Sequence, residues 1–152
     1  MKQPNSNHCF VCGRDNPHGL HLKFIETTPG EVTVEYTVPE HFQGYPGVVH
    51  GGIVAAILDE VTGRTQMGEN PPRFMYTAIM DVRYRKNVPT SQPLHIIGRA
   101  GTRKERTALA IGQIFGPNGD LLAEASVVLV NVPEEMVNQT DLEAIGWKVD
   151  PD

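Results

Sequence analysis

The alternation of apolar and polar residues is clearest at Val32, Val34, Tyr36 and Val38, interleaved with Thr33, Glu35 and Thr37. A period of two predicts a half-buried strand. Leu20, Leu22 and Phe24 alternate in the same way and predict an earlier strand, with Pro29-Gly30 as the turn between them. The period then changes. Val54, Ile57, Leu58 and Val61 fall at i, i+3, i+4 and i+7, which predicts a helix from about Gly51 to Met67 with one apolar stripe. Gly68 to Pro72 stops it. From Met75 to Val130 the pattern is β again. Ala78, Met80, Val82 and Tyr84 alternate with Ile79, Asp81, Arg83 and Arg85; Pro89 to Pro93 is a break. Strands are expected at Leu94–Thr102, Thr107–Phe115 and Leu121–Val130. Arg103–Arg106 reads as a charged turn and Gly116-Pro117-Asn118-Gly119 as a hairpin turn.

Outside this pattern, Met1 to Asn7 reads as a disordered lead and Cys9 to Gly19 as a loop or knuckle. Pro39 to Val49 is a long loop. Thr140 to Ile145 is expected as a short helix, with Thr140 as cap and Glu143 three residues later. The domain organisation follows: 1–19 an N-terminal Cys/His/Gly loop segment, 20–132 the main domain, and 133–152 a C-terminal tail. A helix with a single apolar stripe must bury it on a sheet. The expected fold class is α+β, a curved antiparallel sheet wrapped around one long helix.

Composition narrows the function. Thirteen Lys+Arg against 18 Asp+Glu leave a net charge of −5, which argues against nucleic-acid coating. No apolar run reaches membrane-spanning length and no secretory leader is visible, so a cytoplasmic location is expected. There Cys9 and Cys12 are expected as thiols or ligands, not as a structural disulfide.

The chemistry concentrates at His50-Gly51-Gly52 and Asp59. Two glycines opening a helix expose N–H groups that can hold a developing negative charge. A carboxylate further along can drive water onto a carbonyl. At roughly 100° per residue Asp59 points away from the apolar stripe, among the small residues Ala55, Ala56, Thr62 and Gly63. Glu60 lies on the other flank, suited to pairing with Arg64 at the surface. Gly52 and Asp59 are about 10 Å apart along the helix axis, too far for one carbonyl to touch both. A site shared across a two-fold dimer is therefore expected.

Gln43 to Ile53 with Leu58-Asp59-Glu60, the segment Asp81 to Pro89, and the opening Cys9 to Leu20 together resemble the PaaI-like hotdog-fold acyl-CoA thioesterases. The resemblance covers roughly residues 8 to 132. It implies a hotdog fold, pairing into dimers or tetramers, and hydrolysis of an acyl thioester. It also implies that the N–H of Gly51 or Gly52 polarises the carbonyl while Asp59 of the partner chain acts as general base or nucleophile. His50 shapes the loop by hydrogen bonding, or acts as a base. Some relatives carry Asn six residues before the histidine; here Gly44 stands there, and Gln43 beside it is the substitute. A non-catalytic acyl-CoA binder or sensor is the alternative of another class. A hydratase of the same fold is a third reading, for which the helix offers no histidine beyond His50.

Arg83, Arg85 and Lys86, with Arg103 and Lys104 around the next turn, suit the phosphates of coenzyme A or a solvated edge. Phe74 and Tyr76 are candidates to line the acyl site, with Met75 and Met80. Cys9, Cys12, His18 and His21 are spaced C-x2-C-x5-H-x2-H, a set that could hold tetrahedral zinc or form a packed knuckle ordering the N-terminus. The knuckle is the reading adopted, and no metal or cofactor is expected. Trp147 is expected to anchor a docked tail.

Overall fold

The computed structural model describes residues 1–69 and 71–151. Residue 70, inside the predicted Gly68–Pro72 break, and residue 152, at the end of the tail, lie outside the described residues. Six strands form one antiparallel sheet: β1 (Ile25–Thr28), β2 (Glu31–Thr37), β3 (Met75–Tyr84), β4 (Pro93–Arg103), β5 (Thr107–Phe115) and β6 (Leu121–Asn131). Their spatial order is β1-β2-β4-β5-β6-β3, so the first strand after the helix becomes the far edge. The helix α1 (Gly51–Arg64) lies across the sheet, and a short helix α2 (Glu134–Gln139) follows β6.

The predicted stripe is the packing face. Val54, Ile57, Leu58 and Val61 are almost completely buried, against Val32, Val34, Leu94, Ile96 and Ile114 of the sheet. Each contributes roughly 1.5–3 kcal/mol by leaving water. The helix approaches closely at Gly98 of β4 and Gly112 of β5, which sit directly opposite each other in register. A Cβ on Gly98 would stand 2.6 Å from the Val61 carbonyl oxygen, and one on Gly112 2.9 Å from Thr62 Cγ2. Two glycines side by side thus make the hollow into which α1 settles.

Four expectations change. Leu20, Leu22 and Phe24 are buried as the alternation predicts, yet ladder pairing of a strand begins only at Ile25. The extended run is tied instead to the N-terminus, through Gln3 N–H to Phe24 O (3.0 Å) and Asn5 Nδ2 to Leu22 O (3.2 Å). Met1–Asn7 is therefore no disordered lead. Gln3 and Asn5 are buried, and Arg14 clamps the segment to the tail through Asn7 Oδ1, the carbonyls of Asn5, Gly146 and Lys148, and Asp150. The C-terminal helix begins at Glu134, directly after Pro133 and earlier than predicted, with Glu134 and Glu135 in its first turn. Thr140 is its C-cap, and Asp141 Oδ1 takes the N–H groups of Glu143 and Ala144 in a separate turn. Glu60 does pair with Arg64 (Nε to Oε1, 3.0 Å), but inside the protein: Arg64 is only 3% exposed and stacks on Phe24 at 4.0 Å.

Candidate functional site

The start of α1 is capped by its own histidine. His50 Nδ1 accepts the Gly52 N–H at 2.9 Å, and the His50 carbonyl takes the N–H groups of Ile53 and Val54. This leaves the Gly51 N–H without a partner among the described residues. Tyr84, the last residue of β3, donates its hydroxyl to the Gly51 carbonyl (2.7 Å) and holds the turn against the sheet. A cavity of about 540 Å³ opens here, lined by Gly44, Tyr45, His50, Gly51, Tyr84 and Arg85, among others.

Asp59 faces a different, larger cavity of about 760 Å³. Thr77 of β3 donates its hydroxyl to Asp59 Oδ1 at 2.6 Å, which orients the carboxylate and leaves Oδ2 without a partner among the described residues. Phe74, Met75 and Tyr76 supply apolar wall, as do Met67, Met136 and Trp147. Trp147 stands edge-on to Phe74 at 5.4 Å between ring centres, so the tail is docked as expected and closes this cavity. Thr77 is absent from the sequence-level candidates. A hydroxyl in an alternating strand carries no signal until the fold sets it opposite Asp59.

The other candidates divide. Gln43 spends its side-chain carbonyl on the Gly47 N–H (3.3 Å) and does not line the cavity at the helix start. Arg85 and Lys86 do line it, and each meets an acid at its rim: Arg85 with Glu124 (3.1 Å), Lys86 with Asp120 (3.0 Å). Arg83 is exposed beside Asp81. Arg103 and Lys104 lie at the opposite end of the sheet, where the Lys104 carbonyl receives Arg73 Nη2. In one chain the basic residues are thus two groups, not one.

The Asp59 cavity has a second polar wall made by Cys9, Cys12, Glu60 and Arg64. The hydrogen bond with Cys12 is the main cause that lowers the Cys9 thiol to about 5, against opposition from burial. The same bond, with burial, pushes Cys12 above the usual thiol range. Burial also raises Glu60 above the usual carboxylate range, with Arg64 opposing. His18 is exposed and His21 Nε2 is bonded to the Asn16 carbonyl (2.5 Å), so the two histidines do not join the cysteines.

The family model of the thioesterase superfamily matches residues 46–128, which hold α1, β3, β4, β5 and most of β6. The chain belongs to the thioesterase superfamily and has its hotdog fold. Acyl-coenzyme A thioesterase THEM4 of Mus musculus is 41% identical over 49 residues, which are 32% of this chain and 20% of THEM4. The match thus spans only about a fifth of that relative. The crystal structure of another thioesterase superfamily protein superimposes with a TM-score of 0.74 at 27% identity, covering 82% of this chain and 63% of that one. The Escherichia coli PaaI protein shares the fold at a TM-score of 0.65 and 13% identity, over 74% of this chain and 80% of its own. A Streptococcus mutans protein bound to acetyl CoA does so at 0.66 and 19% identity, over 73% and 88%.

Proposed function

We propose that this protein hydrolyses acyl-CoA thioesters in sites shared between two copies of the chain. The unpartnered Gly51 N–H of one copy polarises the thioester carbonyl, with the positive end of α1 behind it. Asp59 of the partner subunit activates water or attacks the carbonyl carbon. The Gly52 N–H is already spent on His50, so Gly51 is the donor and His50 is the cap that aims it. The acyl group occupies the apolar cavity beside Asp59. Arg85 and Lys86, with Arg83 nearby, meet the phosphates of coenzyme A.

One observation carries this reading: Gly51 and Asp59 are bonded to opposite ends of the same edge strand, Gly51 through Tyr84 and Asp59 through Thr77. Within one chain they face separate cavities. Two β3 strands paired antiparallel about a two-fold axis near the middle of the strand, with Ala78 bulged out of the ladder, set the Thr77 end of one copy against the Tyr84 end of the other. That register brings the partner's Asp59 beside Gly51. Strand β3 also needs a cover, being ten residues long with Tyr76, Ile79 and Tyr84 exposed at the sheet margin.

The test mixes two inactive chains. Asp59→Asn removes the carboxylate and should lower kcat by about 10²–10⁴-fold without unfolding the protein. Gly51→Pro removes the N–H at the first helical position, where proline is tolerated. A mixed dimer isolated through two different tags should regain one of its two sites, about half of wild-type turnover. No recovery refutes the shared site, and full activity in Asp59→Asn removes that residue from the mechanism.

A further inference from the structure

We propose that Cys9, Cys12 and Glu60 form a binding site for a thiophilic divalent cation, zinc by the chemistry of its donors. The two cysteines lie in a turn built around sulfur. The N–H groups of Val11 and Cys12 donate to Cys9 Sγ at 3.4 and 3.5 Å, and the Gly13 N–H closes the turn on the Cys9 carbonyl at 2.8 Å. A Cβ at position 13 would stand 2.3 Å from the Cys9 carbonyl oxygen, so only glycine allows the turn this tightness. Amide hydrogens directed at sulfur favour the thiolate that a metal needs.

The third donor comes from α1. One Glu60 oxygen is held by Arg64, and the Cys9, Cys12 and Glu60 ligand atoms all lie within 4.8 Å of one another. A tetrahedral ion with bonds of 2.0–2.3 Å spaces its donors at roughly 3.5–3.8 Å, inside that limit. Charge also balances: two thiolates and a carboxylate offset a divalent cation plus the Arg64 guanidinium. Two sulfurs select zinc over magnesium or calcium, which take oxygen donors. Three protein donors leave a fourth position, and all three residues stand on the wall of the Asp59 cavity, which gives access to it. The set differs from the C-x2-C-x5-H-x2-H reading. Among the described residues the cluster includes neither histidine, and a glutamate from 48 residues further on takes their place.

The full-length protein, exposed to zinc and desalted, is assayed by elemental analysis, and its cobalt-substituted form by absorption. We expect about one zinc per chain and a thiolate-to-cobalt charge-transfer band. Cys9→Ser and Cys12→Ser should lose both signals. Glu60→Gln, which keeps the cavity's shape, should weaken zinc binding at least about tenfold. His18→Ala combined with His21→Ala should change nothing. Less than about a tenth of an equivalent of zinc in reduced wild-type protein overturns the proposal, as does undiminished uptake in Glu60→Gln. If Cys12→Ser does not fold, Cys9→Ser and Glu60→Gln still decide the matter.

Discussion

At the scale of single residues, each glycine of the pair that opens α1 has its own task. The Gly52 N–H satisfies the histidine cap, and the Gly51 N–H stays open to the cavity. The same economy governs Asp59, whose Oδ1 is committed to Thr77. The Thr77 hydroxyl fixes the direction in which the carboxylate points. Thr77→Ala should therefore lower kcat by roughly ten- to a hundredfold, the worth of one charged hydrogen bond, and Thr77→Ser should restore most of it. Steady-state kinetics on a short acyl-CoA would show this; unchanged kcat in Thr77→Ala would deny the hydroxyl its positioning role. Asp59 and Gly51 can be nominated from the chain alone, because a glycine opening a helix and a carboxylate further along it are types that suggest acyl chemistry. Thr77 cannot, because its meaning depends on a neighbour 18 residues away in sequence.

The elements follow the hydrophobic period closely. Strands β2 and β5 and the apolar stripe of α1 stand where alternation and the 3.6-residue repeat predict them. The departures occur where local preference is weak and distant partners decide. Leu20 to Phe24 has a strand's pattern but spends backbone groups on the N-terminal segment. Glu134 and Glu135 after Pro133 carry a helix-start signal that Thr140 obscured. Gly98 and Gly112 look like weak points in strands and are instead the place where α1 meets the sheet. Gly112→Ala should destabilise the protein by about 1–3 kcal/mol, because Thr62, Leu58 and Val61 must yield to the added methyl. Chemical denaturation measures this. A midpoint equal to wild type would mean that the helix has slack over the sheet.

For the whole molecule, the decisive feature is the unpaired margin of β3. It carries Ile79, which is 63% exposed, between the two positions that hold the catalytic candidates. Ile79→Glu would replace an apolar side chain in the two-fold contact with a carboxylate, next to Asp81 on the same strand. We expect it to sediment as a monomer, to keep its far-ultraviolet circular dichroism, and to lose nearly all turnover. A fully active monomer would contradict a site made by two chains. The basic residues teach the same lesson about distance: Arg83, Arg85 and Lys86 are gathered near the helix start, whereas Arg103 and Lys104 are carried to the other end by the length of β4.

The amino-acid order alone determined the periodicities, and through them the one long helix, the antiparallel strands and the loop that delivers His50-Gly51-Gly52. These depend on residues within a few positions of each other, where local geometry governs. Tertiary structure alone decided which strand would be left at the margin, that Thr77 would orient Asp59, and that Glu60 would turn inward beside Cys9 and Cys12. Those outcomes rest on contacts between segments far apart in the chain, and such contacts leave no period to read.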